Sequence, residues 1–142
     1  MKQYWVLAAL AAACVGGAQA AGVEPGQWEF SVKTDLQDMP PSQHPLKLKK
    51  CLSEKDAANP LQFLPLAPGA TPETCSVKEQ KQNGAKLHYV LDCPGMPNVT
   101  TTGDATVSGA SLSGSAVTHL DSVTYKKQLT QQYSGKRTGK CN

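Results

Sequence analysis

Three histidines, His44, His88 and His119, are the imidazoles of this sequence. Each could act as a general base or a metal ligand, because imidazole changes charge near neutrality. None stands at a spacing that would use it. His44 sits in a proline-flanked loop, and His88 and His119 fall on the outward side of alternating, strand-like stretches. There is no G-x-S-x-G elbow, no HExxH and no Walker or dinucleotide glycine pattern. Carboxylate pairs for glycoside chemistry come from separate strands. Asp92 and Asp104 are the strand-borne Asp pair that would need testing. No nucleophile–base pair follows from spacing, so no catalytic residue is expected, and no cofactor.

Cysteine chemistry is more informative. The chain has five cysteines, at positions 14, 51, 75, 93 and 141. None forms a C-x-x-C knuckle, and no His lies at ligand spacing from any of them, so no metal site is expected. Cys14 falls in an N-terminal segment with the layout of a secretory signal peptide. Lys2 gives a positive start, Tyr4 to Val15 is uncharged and mostly apolar, and Ala18-Gln19-Ala20 gives an A-x-A cleavage site. The apolar run is well short of the roughly 20 residues that span a bilayer, and no later stretch is apolar enough. No transmembrane segment is expected. Residues 1–20 read as the cleaved leader and 21–142 as one domain in the periplasm or secreted. Lipidation of Cys14 is the alternative, but Leu10 lies one residue too early for that signal.

Cys51, Cys75, Cys93 and Cys141 then remain, an even number in an exported chain, which reads as two disulfides rather than reactive thiols. Four cysteines allow three connectivities. Asn83-Gly84 is a hairpin signal midway between Cys75 and Cys93. It places those two opposite each other within one residue and favours the pairs Cys75–Cys93 and Cys51–Cys141.

The elements read as mainly β. Trp28, Phe30 and Val32 alternate with Glu29, Ser31 and Lys33, and Leu46-Lys47-Leu48-Lys49 alternates again. Ser53-Glu54-Lys55-Asp56 resembles a capping box and starts one short helix that Asn59-Pro60 should stop. Leu61 to Pro72, with Phe63, Leu64 and Leu66 among prolines, has no secondary-structure period and reads as a plug covering one end of the core, or alternatively as a lid or contact surface. Around the hairpin, Leu87, Tyr89, Leu91 and Cys93 share one face. The Thr-, Ser-, Gly- and Val-rich last third reads as strands at 99–108, 115–120 and 123–134, with Gly103, Gly109 and Gly114 at turns or bulges. The expected fold is an antiparallel meander forming a small barrel or half-barrel, stapled by disulfides, with one short helix.

Taken together, Pro25-Gly26-x-Trp28-Glu29, Met39-Pro40, Cys51-Leu52-Ser53, the Cys75–Cys93 hairpin, Ser108-Gly109, Gly114 and the closing Tyr133-Ser134-Gly135-Lys136-Arg137-Thr138-Gly139-Lys140-Cys141 resemble the secreted bacterial family called domain of unknown function 3617. The resemblance spans nearly all of 21–142. It implies a small β-rich envelope or periplasmic protein. Gly26, Trp28, Gly139 and the four cysteines read as fold determinants, and the family supplies no catalytic residues to carry over.

The net charge of +3 is too mild, and the aromatics too sparse, for a nucleic-acid partner. Basic spots at Lys47, Lys49 and Lys50, at Lys126-Lys127 and along Lys136, Arg137 and Lys140 read as solvated faces. The leading expectation is a binding or accessory module for a small apolar ligand or an envelope protein, engaged through the loop of Phe63, Leu64 and Leu66. A structural or stress-related envelope protein without a small ligand, and a hydrolytic enzyme, are the alternatives. Nothing in the sequence specifies an oligomeric state.

Overall fold

The computed structural model describes residues 22–41 and 43–142. The leader and Cys14 lie outside the described residues. Seven strands form one antiparallel sheet: β1 (Gly26–Leu36), β2 (Leu46–Leu52), β3 (Ser76–Asn83), β4 (Lys86–Cys93), β5 (Asn98–Ser108), β6 (Ser111–Asp121) and β7 (Lys126–Gly139). Their order is β2-β1-β7-β6-β5-β4-β3. Strands β3 to β7 are a meander, and β1 pairs with both β2 and β7. The edges β2 and β3 do not pair with each other, so the sheet is open and no closed barrel forms. Two helical turns, α1 (Glu54–Ala57) and α2 (Pro60–Phe63), follow β2.

Side-chain alternation sorts the sheet into two faces, as the period of two requires. On β4 every second residue, from Leu87 to Cys93, is buried. One contiguous core joins Trp28 and Leu52 with Leu87, Tyr89, Leu91, Val107, Leu112 and Tyr133. The opposite face carries Thr, Ser, Lys, Asp, Gln and His. Ala57, Phe63 and Leu64 belong to the same core, so the apolar face wraps around the helical segment. Segment 54–66 thereby fills the gap that strand pairing leaves open. Lys50 of β2 donates from Nζ to the backbone oxygen of Gln62 at 2.7 Å and to its Oε1 at 2.8 Å. On its other side α2 packs against β3.

Two local departures from the sequence reading have clear causes. The helix from Ser53 does stop before Asn59-Pro60, at Ala57, but a second helical turn, α2, begins at Pro60. The Asn59 side chain accepts from Leu61 N at 3.1 Å and Pro60 occupies the first turn of α2, where a missing N–H costs nothing. The capping box on α1 does form, between Ser53 and Asp56. Gly103 and Gly114 are not at turns; of the three glycines only Gly109, with φ of +42°, is. Gly103 and Gly114 sit mid-strand on β5 and β6, beneath aromatic rings. Tyr89 leans over Gly103 from β4, and Tyr133 leans over Gly114 from β7. Their hydroxyls meet at 2.8 Å. Burial pushes the Tyr89 hydroxyl up to about 12 and raises Tyr133 further.

A Cβ at position 103 would overlap the Tyr89 ring and hydroxyl. Gly103→Ala should therefore lower stability by about 1–3 kcal/mol, the ordinary cost of overpacking. Urea unfolding checks it. A change within about 0.5 kcal/mol, as at an exposed site, would show that the rings move aside freely.

The disulfides staple the ends of this arrangement. Cys51 joins Cys141 with a Cα–Cα distance of 5.6 Å, and Cys75 joins Cys93 at 4.1 Å. The β3–β4 turn is Gly84-Ala85, with Asn83 paired to Lys86. A two-residue turn there would, in unbroken register, set Cys75 opposite Pro94. The irregularity between Val77 and Glu79 shifts the pairing by one residue, so Ser76 faces Asp92 and Cys75 faces Cys93.

Candidate binding site

An apolar cavity of about 350 Å³ opens at the seam between β1–β2 and the segment after α2. Phe30, Val32 and Leu48 form one wall, and they share a face because β1 and β2 pair with Phe30 opposite Leu48. Leu61, Phe63, Leu64, Pro65 and Leu66 form the other, with Tyr133 also lining it. The α2 turn aims these side chains inward, and the prolines hold the following chain extended. The polar rim is Lys49, Lys50 and Gln62, and Lys50 already spends its ammonium on Gln62. A volume of this size lies in the range of small-ligand sites, whose walls are mostly apolar with a few polar groups at the margin. Leu46 and Leu48 remain exposed beside it, an arrangement that water disfavours.

Phe63, Leu64 and Leu66 all border this cavity. Phe63 and Leu64 are also core residues, while Leu66 is partly buried. Replacing the first two tests the fold rather than a ligand. Phe30, Val32, Leu48 and Leu61 were missed as wall residues. The alternation of Leu46-Lys47-Leu48-Lys49 carried part of that signal.

A family model described as Protein of unknown function (DUF3617) matches residues 23–141. The chain belongs to that family. No curated protein and no solved structure matches it.

Elsewhere on this DUF3617 domain, His88 Nδ1 lies 2.8 Å from Asp104 Oδ1 on the polar face. Ser115 pairs with Asp104 across the sheet and Lys81 pairs with His88. The serine therefore flanks the carboxylate, not the imidazole. Asp92 pairs with Thr100, four residue pairs along the β4–β5 ladder from His88 and Asp104. His119 is exposed on β6, paired with Thr100 and Gln128, and His44 lies in the β1–β2 connection. Among the described residues no three His, Cys, Asp or Glu side chains converge as a metal site. No helix among them is long and apolar enough to cross a membrane.

A wider groove of about 1060 Å³ lies largely on the polar face, where Lys47, Lys49 and Lys136 alternate with serines. Glu29 reaches Lys49 at 3.6 Å, and both are well exposed. Solvated charges of this kind add little binding energy, so the smaller apolar cavity is the stronger candidate.

Proposed function

We propose that this DUF3617 protein is an exported binding module that holds a small apolar ligand in the seam cavity. One observation carries the reading: a cavity of about 350 Å³ walled by Phe30, Val32, Leu48 and the Leu61–Leu66 stretch. A domain whose interior were filled would suit a purely structural role, and an unfilled apolar cavity favours a ligand. Export to the periplasm fits the leader-like first twenty residues and the two disulfides, which persist in oxidising compartments.

Leu48 tests this without disturbing the core, because it is 47% exposed. Leu48→Asp should weaken binding of an environment-sensitive naphthylamine dye by roughly tenfold or more, since an unpaired carboxylate would face the apolar ligand. Thermal unfolding should stay close to that of the parent. Equal dye affinity in parent and variant would sink the reading. Native mass spectrometry of protein isolated gently from its envelope fraction would then give the ligand class, as a reproducible non-covalent adduct.

A further inference from the structure

We propose that one end of the sheet docks on the surface of a lipid bilayer. The pairing register defines that end. Leu36 faces Leu129, Asn98 faces Asp121, and Asp121 faces Lys126. The β1–β2, β6–β7 and β4–β5 connections therefore stand side by side along it, in the order of the strands they join.

Each connection holds out one large apolar side chain: Met39 at 60% exposure, Val123 at 95% and Met96 at 90%. Leu36, Leu46 and Tyr125 flank them. Every exposed large hydrophobic among the described residues lies at this end or on the adjoining stretch of β2. The opposite end turns through Gly84-Ala85 and Gly109-Ala110 and carries none. Scattered apolar residues are normal on a surface, but segregation to one end is not.

Three features fit a bilayer better than a folded protein partner. The side chains are separate points on three loop tips rather than a continuous patch that could pack against a complementary surface. Their backbones are already suited to leaving water. Pro40, Pro41, Pro94 and Pro97 have no N–H to desolvate. In the β6–β7 turn, Ser122 Oγ accepts from Thr124 N at 3.3 Å and Tyr125 N at 3.2 Å, while Ser122 N donates to Tyr125 O at 3.0 Å. Val123 thus tops a turn whose neighbouring donors are satisfied internally, as a low-dielectric medium demands. Finally, Tyr125 followed by Lys126 and Lys127 is the composition of an interface, with an amphipathic ring and basic stems that reach headgroups. Asp121 and Asp38 lie 3.9 Å from those lysines, so insertion rather than charge drives the contact.

Flotation with vesicles of phosphatidylethanolamine and phosphatidylglycerol, and of phosphatidylcholine alone, tests the proposal. The parent protein should float with both, and added salt should change its partitioning by less than about tenfold. The variant Met39→Ser/Met96→Ser/Val123→Ser should partition about a thousandfold more weakly, on roughly tenfold per apolar side chain withdrawn from lipid. Circular dichroism confirms its fold. Val123→Ser alone, at a site bathed in solvent, should lose about tenfold. A parent that stays in the soluble fraction, or a triple variant that floats like the parent, overturns the proposal. The cavity reading stands or falls separately. Dye binding without vesicles should survive the triple variant, and Leu48→Asp should still float.

Discussion

Trp28→Ala should cost about 3–5 kcal/mol of stability, the range for truncating a fully buried large aromatic. Trp28 is 0% exposed. Its ring stacks on Phe30 with centroids 5.7 Å apart, and its Nε1 donates to Glu24 O at 2.9 Å. That bond fixes the chain before β1 against the start of the sheet, where Glu24 N also donates to Gly109 O. Truncation removes the packing and strands the Glu24 carbonyl together. Trp28→Phe should retain part of the packing and lose less. Urea unfolding of both variants measures the difference. A loss below about 1 kcal/mol for the alanine variant, the size of an average substitution, would mean that the neighbours collapse into the space.

Removing the Cys51–Cys141 bridge should be nearly as costly. The bridge spans 90 residues, and closing a loop of that length restrains the unfolded chain by roughly 4 kcal/mol in the chain-entropy account. Cys75–Cys93 spans only 18 residues, which gives about 3 kcal/mol. Paired substitution to alanine should therefore destabilise more at 51 and 141 than at 75 and 93. A domain of this size holds about 5–15 kcal/mol in all, so the Cys51→Ala/Cys141→Ala protein should sit near the edge of folding. The reverse ranking would show that native contacts around Cys93, which is buried, outweigh the restraint on the unfolded chain.

The β character was legible because alternation is a local property. Trp28, Phe30 and Val32, or Leu87, Tyr89 and Leu91, declare their face within a few residues. The α1 capping box was legible for the same reason. What escaped depends on distant partners. Nothing near Gly103 in sequence says that Tyr89 will lie over it, and nothing near Gly114 announces Tyr133. A mid-strand glycine opposite an aromatic looks like any turn glycine until the register is known. The one-residue shift after Val77 is equally silent, though it decides what Cys75 faces. Whether the sheet closes is also a global matter. The apolar, proline-rich stretch after Pro60 was legible as a plug at one end of the core, but only assembly reveals that segment 54–66 occupies the gap between β2 and β3. The cavity follows from the same event, since its walls come from β1, β2 and a segment beyond α2.

The place of β1 between β2 and β7 has a bearing on how the chain reaches this state. Thr138 Oγ1 donates to Gln27 O across 111 residues, and Arg137 Nε to Pro25 O across 112. The first strand thus waits for the last before one side of its ladder exists. Loop closure of that length is entropically unfavourable until the intervening meander has formed, and sheets dominated by such distant pairings condense slowly. The growing polypeptide cannot complete its architecture while its final strand is still being synthesised.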